Sequence, residues 1–88
     1  MVRRRVVVHG RVQGVYFRAS CTEQAIKHGV TGWIRNEPDG TVLAEFEGDE
    51  RAVDAIVEWC HSGPTRAVVT GVDVTDVQPV GDVSFLAD

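Results

Sequence analysis

Two stretches of the chain carry side chains whose types and spacing suit chemistry. The first is GRVQGVYFR at residues 10–18, where Gly14 lets the backbone approach a ligand and the chain then presents successive N–H groups at the start of a helix. Such a run forms an anion nest, which the helix dipole strengthens. Arg18 falls in the first predicted helical turn, where a cation opposes the dipole unless an anion lies between them. The loop alone is equally compatible with a tight turn beside a solvated arginine. The second stretch is CHSGPTR at residues 60–66, with the Cys-to-Arg spacing of cysteine-dependent phosphatases. That chemistry needs the thiolate at a helix N-terminus, where the dipole lowers its pKa. Cys60 instead ends a predicted helix, and Gly63-Pro64 keeps another from starting in the loop. A buried thiol beside a turn is the expectation there.

Charge narrows the field. The net charge is -4, which argues against a nucleic-acid binder. Its distribution is uneven: residues 1–36 hold seven Arg/Lys against Glu23, and residues 37–88 hold two arginines against twelve Asp/Glu. A small anion should be drawn to a site built from the first half. Arg3–Arg5 are expected to be a solvated terminus. His9, His28 and His61 lie in different predicted elements, and neither cysteine pairs with one at metal-ligand spacing, so no metal site is expected. Cys21 and Cys60 both fall in predicted helices, as two buried thiols in a reducing cytoplasm, with an inter-helix bridge the lesser alternative. The Val6–Val8 run is too short for a signal core or a membrane span. With 88 residues there is room for one domain, 1–88, and one core.

The elements that position these residues follow from periodicity. Residues 5–12 alternate at strand period, with Val6, Val8 and Val12 on one face and Arg5, His9 and Arg11 on the other. A helix is predicted from Arg18 or Ala19 to His28, with Thr22, Ala25, Ile26 and Gly29 at three- and four-residue spacing and Gly29 as its C-terminal stop. Strands are predicted at 31–36 and 41–47, joined by the turn EPDG. Asp49 caps a second helix to about His61 whose inner stripe is Val53, Ile56, Val57 and Cys60. A fourth strand runs from about Ala67 to Val74, and a short last one near Val83–Leu86 pairs at an edge. The order β-α-β-β-α-β with right-handed crossovers predicts an α+β ferredoxin-like split βαβ sandwich: an antiparallel sheet with both helices on one face. Strands one and two then run parallel with strand three between them. The loop after strand one and Asn36, which ends strand two, must emerge at the same edge.

GRVQGVYFR is similar to the acylphosphatase signature G-x-V-Q-G-V-x-F/Y-R. GWIRNEPDGTVLAEFEG at residues 32–48 resembles that family's second signature, and GPTRAVVTGV at 63–72 its G-P-x-x-A-x-V-x-x-V pattern. The resemblance spans nearly the whole chain in order. It departs at Ile34, bulkier than expected there, and at the C-terminal SFLAD, which lacks a basic end and so threatens the edge supporting the phosphate loop.

The resemblance implies the ferredoxin-like fold and hydrolysis of acyl phosphates to carboxylate and inorganic phosphate, with water as nucleophile and no metal or cofactor. It implies phosphate binding by Gly14, Val15, Tyr16, Phe17 and Arg18, and catalysis by Arg18 with Asn36 positioning the water. Tyr16 and Phe17 are expected mainly to pack the loop onto the core. Because a carboxylate leaves without being protonated, no general acid is required. The partners expected are a small-molecule acyl phosphate and inorganic phosphate as product and inhibitor, with no nucleic acid and no membrane, for a cytoplasmic monomer. A non-catalytic binding module is the rival reading of such a sandwich. A related domain opens larger carbamoyl-transfer proteins, but a stand-alone enzyme is the simpler expectation.

Overall fold

The computed structural model describes all 88 residues. Seven elements follow in order: β1 (Val2–Arg11), α1 (Phe17–His28), β2 (Thr31–Asn36), β3 (Val42–Gly48), α2 (Glu50–Cys60), β4 (Val68–Val77) and β5 (Phe85–Ala87). They form one sheet in the order β4-β1-β3-β2-β5, with β3 antiparallel to both β1 and β2. Strands β1 and β2 therefore run the same way and end at the same rim, as the ferredoxin-like arrangement requires.

One face of the sheet and both helices close the core. Val6 and Val8 of β1, Ile34 of β2, and Val42, Ala44 and Phe46 of β3 meet Val53, Ile56, Val57 and Cys60 of α2, all buried. This is the stripe the sequence predicts for α2, and Asp49 caps that helix by accepting from the Arg51 N–H at 3.0 Å. For α1 the stripe differs from expectation. Phe17, Cys21 and Ala25 face inward at four-residue steps, while Ile26 is 72% exposed. The helix leans on the sheet through small residues, and its one large anchor, Phe17, lies ahead of the predicted start. Gly29 ends α1 as expected, at φ 69°, with the Val30 N–H donating to the Ala25 carbonyl at 2.9 Å.

Two expectations are corrected. Arg3–Arg5 are not a solvated terminus. Arg3 is 3% exposed, donating to Glu45 at 2.6 Å, Glu47 at 3.1 Å and Asp82 at 2.9 Å. Arg4 bonds Asp54 and Asp76, and Arg5 pairs with Glu45 at 2.8 Å. Three consecutive arginines read as a charged end, but β3 places Glu47 and Glu45 directly across from Arg3 and Arg5, and α2 and β4 bring Asp54 and Asp76 to Arg4. The second correction concerns the sheet, which is mixed. Strand β4 lies at the far edge and runs away from the rim where β1 ends. The segment 78–84 crosses the opposite end, held by the Val80 and Gly81 N–H groups donating to Glu47 at 2.7 and 3.0 Å. Strand β5 therefore rises parallel to β2, and Phe85 stacks on Phe46 with ring centres 5.8 Å apart. This carries the last residues up to the rim where Asn36 ends β2. No helix is long and apolar enough to cross a membrane.

Candidate active site

The loop between β1 and α1 is built to leave its amides free. Gly14 (φ 73°) and Tyr16 (φ 65°, ψ 23°) both adopt left-handed backbone, so the chain turns twice in three residues. Glycine takes this conformation without penalty, and Tyr16 does so at a cost of about 1–2 kcal/mol. Such strain persists only where neighbours over-determine it. Here Phe17 does so: its ring packs 5.2 Å from the Trp59 ring and against Gly63, where an added Cβ would come within 2.6 Å of it. From Gly14 to Ala19 no main-chain N–H donates to any protein group, and the first bond of α1 runs from the Ser20 N–H to the Tyr16 carbonyl at 3.0 Å. Six successive donors stand unengaged at one helix start, which has no side-chain cap.

Asn36 meets this loop at the rim. A cavity of about 350 Å³ is lined by Val12, Gly14, Tyr16, Phe17, Arg18, Ala19 and Asn36. The residues singled out in the two motifs thus gather around one opening. Val15 stands apart: its side chain is 7% exposed in the core and lines the neighbouring cleft, so it offers this cavity at most its main chain. Val12 and Ala19 complete the wall, and nothing in their types marks them in the sequence.

Three further contacts fix the geometry. Arg18 donates from Nη1 to the main-chain oxygen of Asp88. The non-basic C-terminus therefore still supports Arg18, through backbone that any residue type provides. The Asp88 N–H in turn donates to the Ile34 carbonyl at 2.8 Å. Gln13 bridges the two halves of the site, its side-chain amide donating to the carbonyls of Glu37 at 2.8 Å and Thr41 at 2.9 Å. No local sequence pattern marks Gln13 for this role; its one signal is a side-chain amide placed between a core valine and the loop glycine. The turn after Asn36 is braced as well, Thr41 donating from its amide and hydroxyl to Asp39 at 3.0 and 2.6 Å. Those two bonds hold the Asp39 carboxyl below the usual carboxylate range.

Within this frame Asn36 Oδ1 is buried without a protein partner. Buried acceptors are satisfied in the great majority of cases, so one left open beside six open donors and a guanidinium points to a ligand. No carboxylate, imidazole or thiol lines the cavity. Its groups can bind and neutralise an anion and orient a small polar molecule, and none is a nucleophile or strong base. The C-x5-R stretch offers no alternative centre. Cys60 is buried at the C-terminal end of α2, and the pKa of the buried Cys21 is pushed up by the Cys60 thiol and by burial. Both thiols are free.

Comparison with known proteins bears on this site. The Acylphosphatase family model matches residues 4–86. The acylphosphatase of Anaeromyxobacter dehalogenans is 56% identical over 82 residues, covering 93% of this chain and 88% of the relative. That of Methylococcus capsulatus is 48% identical over 87 residues, covering 99% of this chain and 95% of the relative. The crystal structure of acylphosphatase from Bacillus subtilis superposes with a TM-score of 0.96 at 36% identity, over 100% of this chain and 99% of that one.

Proposed function

The chain belongs to the acylphosphatase family, an enzyme hydrolysing the carboxyl–phosphate bond of small acyl phosphates to carboxylate and inorganic phosphate, and we propose that Arg18, the Gly14–Phe17 loop and Asn36 carry that reaction. One observation supports this assignment above the rest: the unengaged loop amides, the Arg18 guanidinium and the unpartnered Asn36 carboxamide converge on a single cavity.

The phosphoryl oxygens sit in the loop, neutralised by Arg18 and by the amides of Gly14, Val15, Tyr16, Phe17 and Arg18. Asn36 hydrogen-bonds a water and holds it in line with the scissile bond. As the water oxygen bonds to phosphorus, the bond from phosphorus to the acyl oxygen breaks and its electron pair leaves on the carboxylate. A phosphoryl oxygen takes the water's proton, so the products are carboxylate and inorganic phosphate. The leaving carboxylate has a conjugate acid pKa of roughly 4 and needs no proton. A loose transition state asks little basicity of the water, which suits a cavity without a carboxylate. Positioning and charge stabilisation are the whole of the protein's task.

Inorganic phosphate, fitting the same grip, binds as product and competes with substrate. The enzyme acts as a cytoplasmic monomer. The unbridged Cys21 and Cys60 support a reducing compartment, and the sheet face away from the helices, covered by Arg3, Arg5, Glu45 and the His9–Asp73 pair, supports the monomer. Steady-state turnover of benzoyl phosphate, with inorganic phosphate as competitor, tests the site. Arg18→Ala is expected to lose turnover and phosphate inhibition together. Retention of both would sink the assignment.

A further inference from the structure

Four of the eight arginines are held in ion pairs: Arg3, Arg4, Arg5 and Arg35. Of the others, Arg51 lies in the first turn of α2 and Arg18 lines the phosphate cavity. The remaining two, Arg11 and Arg66, line one cleft of about 530 Å³ together with Gln13, Gly14 and Val15. Neither guanidinium has a hydrogen-bond or ion-pair partner, in a chain whose Asp/Glu outnumber its Lys/Arg by 13 to 9. Two like charges in one polar cleft without an acid repel each other, and an anion between them removes that cost. The fold brings them together: Arg11 ends β1 opposite Val68, and Arg66 precedes Val68 at the start of β4.

This cleft meets the phosphate cavity at Gly14, which lines both. Its direction matters. Across the rim the strands run β4, β1, β3, β2, so Arg66 and Arg11 lie on one side of the loop and Asn36 on the other. In-line displacement sends the leaving group away from the attacking water. With the water held at Asn36, the acyl group points toward the β1–β4 side.

We propose that Arg11 and Arg66 form a second anion subsite for the acyl portion, so that the enzyme favours acyl phosphates carrying a second anionic group, a phosphate or a carboxylate, remote from the anhydride. The proposal rests on the phosphate-site assignment above, which supplies the direction of the acyl group. Such substrates come from reactions that phosphorylate a carboxyl group on a molecule already bearing another acidic group.

The test compares benzoyl phosphate with its meta and para phosphonomethyl, carboxy and neutral carbamoyl derivatives. The wild type and the Arg11→Gln/Arg66→Gln double variant are each assayed at low ionic strength. The better phosphonomethyl isomer is expected to exceed benzoyl phosphate in kcat/KM by about ten-fold, with the carboxy probe between them and the carbamoyl probe at parity. In the double variant that ratio falls to about two or below, and in the wild type it shrinks with added salt. A carboxy probe that exceeds the phosphonate assigns the subsite to carboxylates; the expected order, phosphonate first, assigns it to phosphates. Equal kcat/KM for charged and neutral probes in the wild type, or a ratio unchanged by the double substitution, overturns the subsite. Arg18→Ala on benzoyl phosphate tests the phosphate site separately, so the two readings fail on different measurements. Both arginines are exposed, and a thermal melt of the double variant should overlay the wild type.

Discussion

Asn36→Ala separates catalytic from structural importance at one residue. A buried, hydrogen-bonded asparagine normally stabilises a fold, and truncating it leaves its partner unsatisfied at a cost of about 1–3 kcal/mol. Here Oδ1 has no partner, so its removal deserts no other group. The change relieves the acceptor's own desolvation and gives up the packing of one half-buried carboxamide, terms of opposite sign and similar size. The net effect on stability is expected within about 1 kcal/mol. For a domain of 88 residues that is a melting shift of no more than about 4–8 °C. Turnover should behave otherwise. Deleting one preorganised group aimed at the reacting atoms costs about 2.7–4 kcal/mol, so kcat should fall about 10²- to 10³-fold. Inhibition by inorganic phosphate should stay within about three-fold, since Arg18 and the loop amides hold the phosphate. Thermal melts and benzoyl phosphate kinetics on one preparation decide the matter. A kcat near wild type removes Asn36 from the mechanism. A collapse in melting temperature alongside the loss of kcat makes it a structural residue.

Arg18→Lys should restore little of what Arg18→Ala loses, because an ammonium cannot present the planar fork that spans two phosphoryl oxygens; kinetics with a phosphate titration check this. Tyr16→Gly should stabilise the chain by about 0.5–1 kcal/mol in urea unfolding, since relief of the left-handed strain exceeds the added chain entropy and Tyr16 is 71% exposed; a lower kcat from a looser loop should accompany it. In acid the fold should weaken. Burial pushes the Glu45 carboxyl up, but hydrogen bonds from Arg3 and Arg5 outweigh it, while the Val80 amide, Arg3 and the Gly81 amide hold Glu47 low against burial. Folded values depressed below unfolded ones contribute stability that is complete above the ordinary carboxylate range, near about 4.3, and is lost as pH falls through the folded values. Urea midpoints from pH 7 to 2.5 should show this decline, and Arg3→Leu should flatten it while costing about 3 kcal/mol at neutral pH. Cys60→Ser should keep full turnover, and a dead but folded variant would reinstate a thiol mechanism.

Much of this protein is legible from local pattern. The strand periods, the Asp49 cap, the α2 stripe and the Gly29 stop each depend on residues a few positions apart, and each stands in the structure where the sequence puts it. The strand order also follows, because right-handed crossovers leave few alternatives, and with it the meeting of Asn36 and the Gly14–Arg18 loop at one rim. What periodicity misses is what depends on partners distant along the chain. Arg3 looked solvated because nothing near it in sequence shows that β3 brings Glu45 and Glu47 across from it, more than forty positions on. Gln13 gained its role only when the 37–41 turn came within reach of its amide. Strand β5 took its parallel place because the chain had to pass beneath the sheet to reach the open edge, which also set Asp88 against Arg18. Adjacent residues encode propensity and face; charge pairing and the convergence of Arg11 with Arg66 exist only once the sheet has closed, since Coulomb attraction and hydrogen bonding read distance in space and not in sequence.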